Sequence, residues 1–360
     1  MFGLTSRATL VVAVLLAVVP PAVLVWLYIR RRTVRATRSR VTVGVGVVVL
    51  TVLAQVGAVA GVFLVANNQF GFYSSWRDLL GVRSDDAATI DLNGTLASSS
   101  GGRLRVLSVD GRASHTRAEA LVWLPPQYDE PAYRHHRFPV VEFLPGQPEQ
   151  PAGVFRGFGL GTAAAHAIAS HQAPPFVLVV PPIMVRPPSD TECTNIPHGP
   201  QALSWLTTDV PRAVTRQLRV QAPGRHWSVM GWSTGGYCAA KLVYSQVRHF
   251  PAAVSLGGYY QPDTQNTWPN LFGGRVHDYH VNSPQWLYAH RSSGLTARLL
   301  VVGSRQDDES WASTRRMLAA TRDNPDVSHV VLSHGGHNFP EYRPYVGVGL
   351  RWLAGTGALA

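Results

Sequence analysis

Three short stretches carry the residue types that acyl chemistry needs. Gly231-Trp232-Ser233-Thr234-Gly235 sets a serine between two glycines, Gln306-Asp307-Asp308-Glu309 holds three consecutive acids, and His334-Gly335-Gly336-His337 holds two histidines. A serine hydroxyl is a weak nucleophile until an imidazole takes its proton, and the imidazole needs a carboxylate to fix its orientation. The Gly-x-Ser-x-Gly spacing suits a strained strand-to-helix turn, where Cβ atoms on either side of the serine would collide. We therefore read Ser233 as the nucleophile, Asp307 as the orienting acid and His337 as the base, because Gly335-Gly336 leaves that loop free to reach over the turn. Spacing does not separate Asp307 from Asp308, so Asp308 stands as the alternative acid, with Glu309 behind it. His334 is the alternative base. The developing oxyanion needs donors as well, and the backbone N–H groups of Thr234 and Gln147 are the candidates, since Pro148 has none.

Elements of strand and helix period surround these stretches. Residues 103–109 and 118–124 alternate like paired antiparallel strands about an Asp110-Gly111 turn. Apolar runs at 138–144, 176–180, 226–230, 252–256, 297–302 and 328–332 read as buried strands. Between them, 153–170, 203–218 (interrupted at Pro211), 236–247 and 310–321 read as helices, and 346–354 as a closing helix. Residues 257–290, rich in Pro, Gly, Asn and aromatics, show no clean period and read as an irregular insertion near the substrate. Tyr259, Tyr260, Trp268 and Phe272 would give that insertion an aromatic, apolar lining. The β-α-β rhythm calls for an α/β class, an α/β-hydrolase fold with a mostly parallel central sheet and helices on both faces. Serine, acid, histidine is the triad order of that fold.

The net charge of +11 is concentrated at one end. Seven arginines fall within the first 40 residues and the first acid is Asp78, while the remainder carries 25 basic against 21 acidic residues. That distribution argues against a nucleic-acid-binding domain, which would need a basic face on the folded part. Residues 8–29 and 41–66 are apolar runs, each long enough to cross a hydrocarbon core of roughly 30 Å. Arg30, Arg31, Arg32, Arg35, Arg38 and Arg40 lie between them. Short basic loops stay in the cytoplasm, so the 30–40 loop is expected inside, and both ends of the chain, with the catalytic domain, outside. The expected organisation is a two-helix transmembrane anchor at 1–66, a juxtamembrane linker at 67–102 and a catalytic domain at 103–360. Phe70, Phe72, Tyr73 and Trp76 suit either the headgroup region or packing on the domain.

Two cysteines, Cys193 and Cys238, are present, and no Cys-x-x-Cys pair suggests a structural zinc. A structural zinc site is therefore not expected. An extracytoplasmic domain allows a Cys193–Cys238 disulfide, which would staple the 190–195 loop beside the active site; two separate buried thiols are the other reading.

Val122-Trp123-Leu124-Pro125-Pro126-Gln127-Tyr128, Phe143-Leu144-Pro145-Gly146, Asp190-Thr191-Glu192-Cys193, Gly231-Trp232-Ser233-Thr234-Gly235-Gly236-Tyr237-Cys238 and Gly335-Gly336-His337-Asn338 together resemble the esterase family of esterase D and the antigen 85 mycolyltransferases. Within it, the chain resembles the membrane-anchored actinobacterial esterases. The resemblance covers roughly residues 104–353 and implies a cofactor-free Ser-acid-His hydrolase acting on small-molecule or lipid esters. Mycolyltransferases are secreted and use Glu as the acid, so their transfer activity is not carried over. An acyltransferase acting on envelope lipids or glycans is the alternative activity, and a catalytically inactive membrane scaffold is the alternative of another class.

Overall fold

The computed structural model describes residues 6–33, 40–70, 76, 95–97, 101–187, 189–264, 267–290 and 296–360. The chain divides into two compact units, Met1–Ser84 and Asp85–Ala360. The first holds helices α1 (Arg7–Thr33) and α2 (Arg40–Phe70), of 27 and 31 residues. At about 1.5 Å per residue each exceeds a hydrocarbon core of roughly 30 Å. Both are long and apolar enough to cross a membrane. Helix α1 runs through Pro20 and Pro21 without ending. Gly57 lets the two helices touch, because a Cβ there would lie 2.5 Å from the Ala17 nitrogen, whereas Gly61 meets nothing within 4 Å. The pair four residues apart is therefore used at one end. Arg35, Arg38, Phe72 and Tyr73 and the linker stretch 77–94 lie outside the described residues. Trp76 is exposed.

The second unit is built on a nine-stranded sheet. In chain order its strands are β1 (Thr95–Ala97), β2 (Arg103–Gly111), β3 (Thr116–Leu124), β4 (Val140–Leu144), β5 (Val177–Val180), β6 (Trp227–Trp232), β7 (Ala252–Leu256), β8 (Arg298–Ser304) and β9 (Val327–Leu332). Their order across the sheet is β1-β2-β3-β5-β4-β6-β7-β8-β9. The edge β1-β2-β3-β5 is antiparallel and everything from β5 to β9 is parallel. Thr95–Ala97 pairs with Arg103–Arg105, so part of the stretch read as linker belongs to the sheet.

Successive strand residues point to opposite faces, which divides the core in two. Val140, Val229 and Val301 belong to one buried cluster and Val141, Met230 and Val302 to the other. Each large apolar side chain fully buried in this way contributes roughly 1.5–3 kcal/mol. Glu142 interrupts the pattern in β4. Neither of its carboxyl oxygens meets a hydrogen-bond partner, and burial pushes its pKa well above the carboxylate range, favouring the neutral acid.

Around the sheet lie helices α3 (Pro151–Gly157), α4 (Leu160–Ala169), α5 (Val210–Gln217), α6 (Thr234–Ser245), α7 (Val276–His280), α8 (Pro284–Ala289), α9 (Trp311–Ala320), α10 (Phe339–Tyr342) and α11 (Pro344–Gly355), with shorter helical turns at Pro126–Asp129, Pro131–Tyr133 and Ala202–Ser204. Three differ from the expected elements. The helix read at 153–170 is two, divided where Gly159 takes a left-handed φ of 61°. The helix read at 203–218 is not broken at Pro211. A wide π turn, Trp205–Asp209, precedes α5, and Pro211 sits in its first turn, where no intrahelical N–H is required. The 257–290 insertion contains α7 and α8, the latter capped by the Ser283 hydroxyl on the Trp286 N–H.

Candidate active site

The site lies at the carboxyl edge of the parallel strands, where ligands bind in open α/β sheets. Strand β6 ends at Trp232, α6 begins at Thr234, and Ser233 between them has φ 54° and ψ −120°, a strained conformation. Its neighbours allow the turn. A Cβ on Gly231 would lie 2.0 Å from the Gly235 carbonyl oxygen, and one on Gly235 would lie 2.0 Å from that of Leu144.

The loop after β9 brings His337 to this serine. Gly335 has φ 104°, and the Ser304 hydroxyl and Gln306 Oε1 hold its carbonyl and N–H. The Ser233 hydroxyl donates to His337 Nε2 at 2.9 Å, and His337 Nδ1–H donates to Asp307 Oδ2 at 2.7 Å. Asp307 was one of three adjacent acids, and the turn after β8 separates them. It is fully buried, whereas Asp308 and Glu309 are exposed, with Glu309 Oε2 3.6 Å from His337 Nε2. His334 is exposed and contacts Ser333.

Asp307 is surrounded by donors. Oδ2 also accepts from the hydroxyls of Tyr342 (2.7 Å) and Ser310 (2.9 Å), and Oδ1 accepts the backbone N–H groups of Glu309 and Ser310 at 3.2 Å. Burial alone would raise its pKa, but these bonds and the nearby imidazole outweigh it and hold the carboxylate below its ordinary range. For His337, burial pulls the pKa down, while the bond and charge of Asp307, with Glu309 and Glu149, lift it above the ordinary imidazole value. Trp232 stacks on the imidazole with ring centroids 4.3 Å apart.

The loop after β4 runs flush against the elbow. A Cβ on Gly146 would lie 3.0 Å from both Ser233 Cβ and Trp232 Cδ1, and 2.6 Å from Glu149 Oε2. The Glu149 N–H donates to the Gly146 carbonyl at 3.1 Å, closing the turn that contains Gln147 and the cis Gln147–Pro148 bond. Thr234 supplies the first N–H of α6. Burial raises the Glu149 carboxyl to about 7, opposed by its own backbone N–H, His337 and Trp232.

Behind Thr234 lies a buried polar network. Cys193 and Cys238 are disulfide-bonded with their Cα atoms 5.9 Å apart, tying the 190–195 loop to α6. Lys241 Nζ donates to the carbonyls of Glu192 (2.5 Å) and Cys193 (2.8 Å), Thr194 Oγ1 (3.0 Å) and Asn282 Oδ1 (3.0 Å). Of the two tyrosines expected to line an aromatic pocket, Tyr260 is fully buried and Tyr259 is half-buried. The Tyr259 hydroxyl pairs with Glu192, and Tyr260 donates to Ser255. Trp268 and Phe272 pack in a small cluster with Ile196 and Leu271. Sequence reasoning did not identify Trp232, Ser310, Tyr342 or Glu149. The x position of the elbow was a signal for Trp232; the others are brought in by loop geometry. Among the described residues no group of His, Cys, Asp and Glu is arranged to hold a metal.

A strained serine facing a histidine-carboxylate pair at the edge of this sheet defines a serine hydrolase of the α/β-hydrolase fold. More narrowly, the chain belongs to the Esterase family, whose model matches residues 112–341. An uncharacterized protein of Corynebacterium glutamicum is 25% identical over 267 residues, covering 69% of this chain and 60% of that protein. The chain thus spans less than two thirds of that relative. Among solved structures, a ferulic acid esterase aligns with a TM-score of 0.61 at 14% identity, covering 72% of this chain and 99% of that one. An S-formylglutathione hydrolase from Agrobacterium tumefaciens gives 0.61 at 16% identity, with 73% and 98% covered. A fluorophosphonate-binding serine hydrolase of Staphylococcus aureus gives 0.58 at 14%, with 70% and 98% covered. At these identities the likeness is one of fold.

Proposed function

We propose that this protein is a membrane-anchored serine esterase whose catalytic unit lies outside the cytoplasm and cleaves carboxylic esters through an acyl-enzyme. The observation that carries the chemistry is the continuous hydrogen-bonded line from Ser233 through His337 to Asp307. In the first step Ser233 Oγ bonds to the ester carbonyl carbon as its proton passes to His337 Nε2. The carbonyl π electrons move onto oxygen, which the N–H groups of Thr234 and Gln147 receive. Collapse expels the alcohol, which leaves with the proton from His337. Water then repeats the sequence with His337 as base, releasing the acid and restoring Ser233. Asp307 remains ionised throughout, holding Nδ1–H and stabilising the imidazolium.

Two apolar helices and the arginines between them support the anchor and its orientation. The test of the chemistry is labelling of the full chain with a fluorophosphonate, together with a p-nitrophenyl ester series of increasing acyl length. Ser233→Ala should lose both labelling and turnover, and a variant that keeps either refutes Ser233 as nucleophile. Protease accessibility of the catalytic unit in intact cells against inverted vesicles tests the orientation. Digestion in inverted vesicles alone would refute it.

A further inference from the structure

Tyr259 reaches the elbow by a route the backbone enforces. Strand β7 leaves the sheet through Gly257 and Gly258, and a Cβ on Gly258 would lie 2.7 Å from the Gly236 carbonyl carbon and 2.9 Å from the Tyr237 nitrogen. The chain therefore passes flat across the first turn of α6 and presents Tyr259 immediately afterwards. Its ring stacks on Tyr237 with centroids 4.9 Å apart and 15° between planes. Its hydroxyl lies against Glu192 Oε1 and 3.3 Å from Thr234 Oγ1. Burial raises the pKa of the nearby Asp190, and the Thr234 side chain is among the groups that oppose the rise.

The 190–195 loop that supplies those carboxyls is itself fixed. Glu192 and Cys193 both take φ 49°, which L side chains seldom adopt. The loop is held by the disulfide to α6, by the Lys241 ammonium on two of its carbonyls, and by the Glu192 N–H on Asp190 Oδ1 at 2.8 Å. Asn282 joins the insertion to the same assembly, accepting from Lys241 through its side chain and from the Tyr237 hydroxyl through its carbonyl at 2.7 Å. Two segments distant in sequence, the 190–195 loop and the stretch after β7, thus meet at the side chain of the residue directly after the nucleophile.

We infer that Tyr259, braced by Glu192, is a positioning residue for the oxyanion turn: through Thr234 Oγ1 it holds the first turn of α6 so that the Thr234 N–H meets the developing negative charge. The inference rests on the proposed role of Ser233 and Thr234 and deepens it. A hydrogen-bond donor stabilises an oxyanion only when it is aimed where the charge develops, so a tilt of this turn weakens the transition state more than the bound ester. Tyr259 touches no reacting atom and acts only through Thr234.

The experiment compares wild type with Tyr259→Phe, which removes the hydroxyl and leaves the ring on Tyr237. Three quantities are measured on the full chain in detergent: kcat and KM for p-nitrophenyl butyrate, the inhibition constant of butylboronic acid, which forms a tetrahedral adduct on the serine, and the melting temperature. Loss of a whole oxyanion donor costs about 100- to 1,000-fold in kcat, so its misalignment should cost about tenfold. KM should stay within about twofold, and the boronic acid should weaken by about the same factor as kcat, as expected of a contact expressed in the tetrahedral state. An unchanged kcat would overturn the assignment. So would a lower melting temperature with unaltered boronic acid affinity, the mark of a merely structural tyrosine. Ser233→Ala runs in parallel. If that variant stays active, the underlying reading has failed; if it is inactive while Tyr259→Phe matches wild type, only the positioning role has.

Discussion

Two buried carboxyl groups connect to the elbow through other side chains, Asp307 through His337 and Glu192 through Tyr259, and the fold treats them in opposite ways. Asp307 is fully buried but accepts five hydrogen bonds and faces an imidazole, so its charge is stabilised and its pKa falls. Glu192 is also fully buried, but its carboxyl meets the Tyr259 hydroxyl and the Asp263 N–H, with Asp190 nearby. Burial and the charge of Asp190 push it well above the carboxylate range, against the pull of Tyr259 and Lys241. The difference lies in the donors, since both groups are shut away from water. A buried acid remains ionised where enough N–H and O–H groups converge on it, and otherwise favours its neutral form. The first arrangement suits a group that must stabilise a cation during turnover. The second suits one that braces a turn.

The sharpest way to break this contrast is to make each carboxyl an amide. Asp307→Asn removes the charge that fixes the His337 tautomer and should lower kcat on p-nitrophenyl butyrate on the order of 10,000-fold, the loss typical of such a change in a Ser-His-Asp triad. A loss under about tenfold would mean that another group orients the imidazole. The next effect concerns the Glu192 side alone. The disulfide links residues 45 apart, and replacing both cysteines by alanine should cost about 3 to 4 kcal/mol from loop closure in the unfolded chain. Urea unfolding of the double variant measures it, and a change under about 1 kcal/mol would show that the loop is held without the bond. The third effect is milder. An amide at position 192 still offers the Tyr259 hydroxyl an acceptor and a donor, so Glu192→Gln should lower kcat only about threefold, as a hydrogen bond between neutral partners weakens by less than 1 kcal/mol when one is exchanged. A collapse comparable to that of Asp307→Asn would show that Glu192 works as an ionised group.

The two sides also differed in how far the sequence revealed them. Ser233, Asp307 and His337 were readable because each stands in a local pattern: a glycine-flanked serine, acids just past a strand, and a histidine behind two glycines. The choice between Asp307 and Asp308 was not readable, because one residue of turn geometry decides which side chain is buried. Every strand but β1 was legible, β2 and β3 from period-2 alternation and the others from short continuous apolar runs. The split at Gly159 and the π turn before Pro211 were not, since residues compatible with helix fill both stretches. Tyr259 read as a pocket aromatic because composition records ring character. Only the close passage of Gly258 over α6 turns it inward.

The smallest effect probes the exposed rim of the relay. His337 Nε2 must be neutral to accept the Ser233 proton, so kcat/KM falls as pH drops through the histidine pKa. That pKa is raised in the folded protein, and the acid limb should accordingly lie above the ordinary imidazole value near 6.5. Asp307 carries most of the upward pull, while Glu309, 3.6 Å from Nε2 and half exposed, adds a weaker one that water screens. Glu309→Gln should therefore move the acid limb of kcat/KM toward lower pH, by less at high salt than at low salt, while leaving the plateau nearly intact. An upward shift would contradict the charge interaction, and a collapsed plateau would place Glu309 in the relay itself. A small downward shift keeps the division in which Asp307 holds the imidazole and its exposed neighbour only biases its proton.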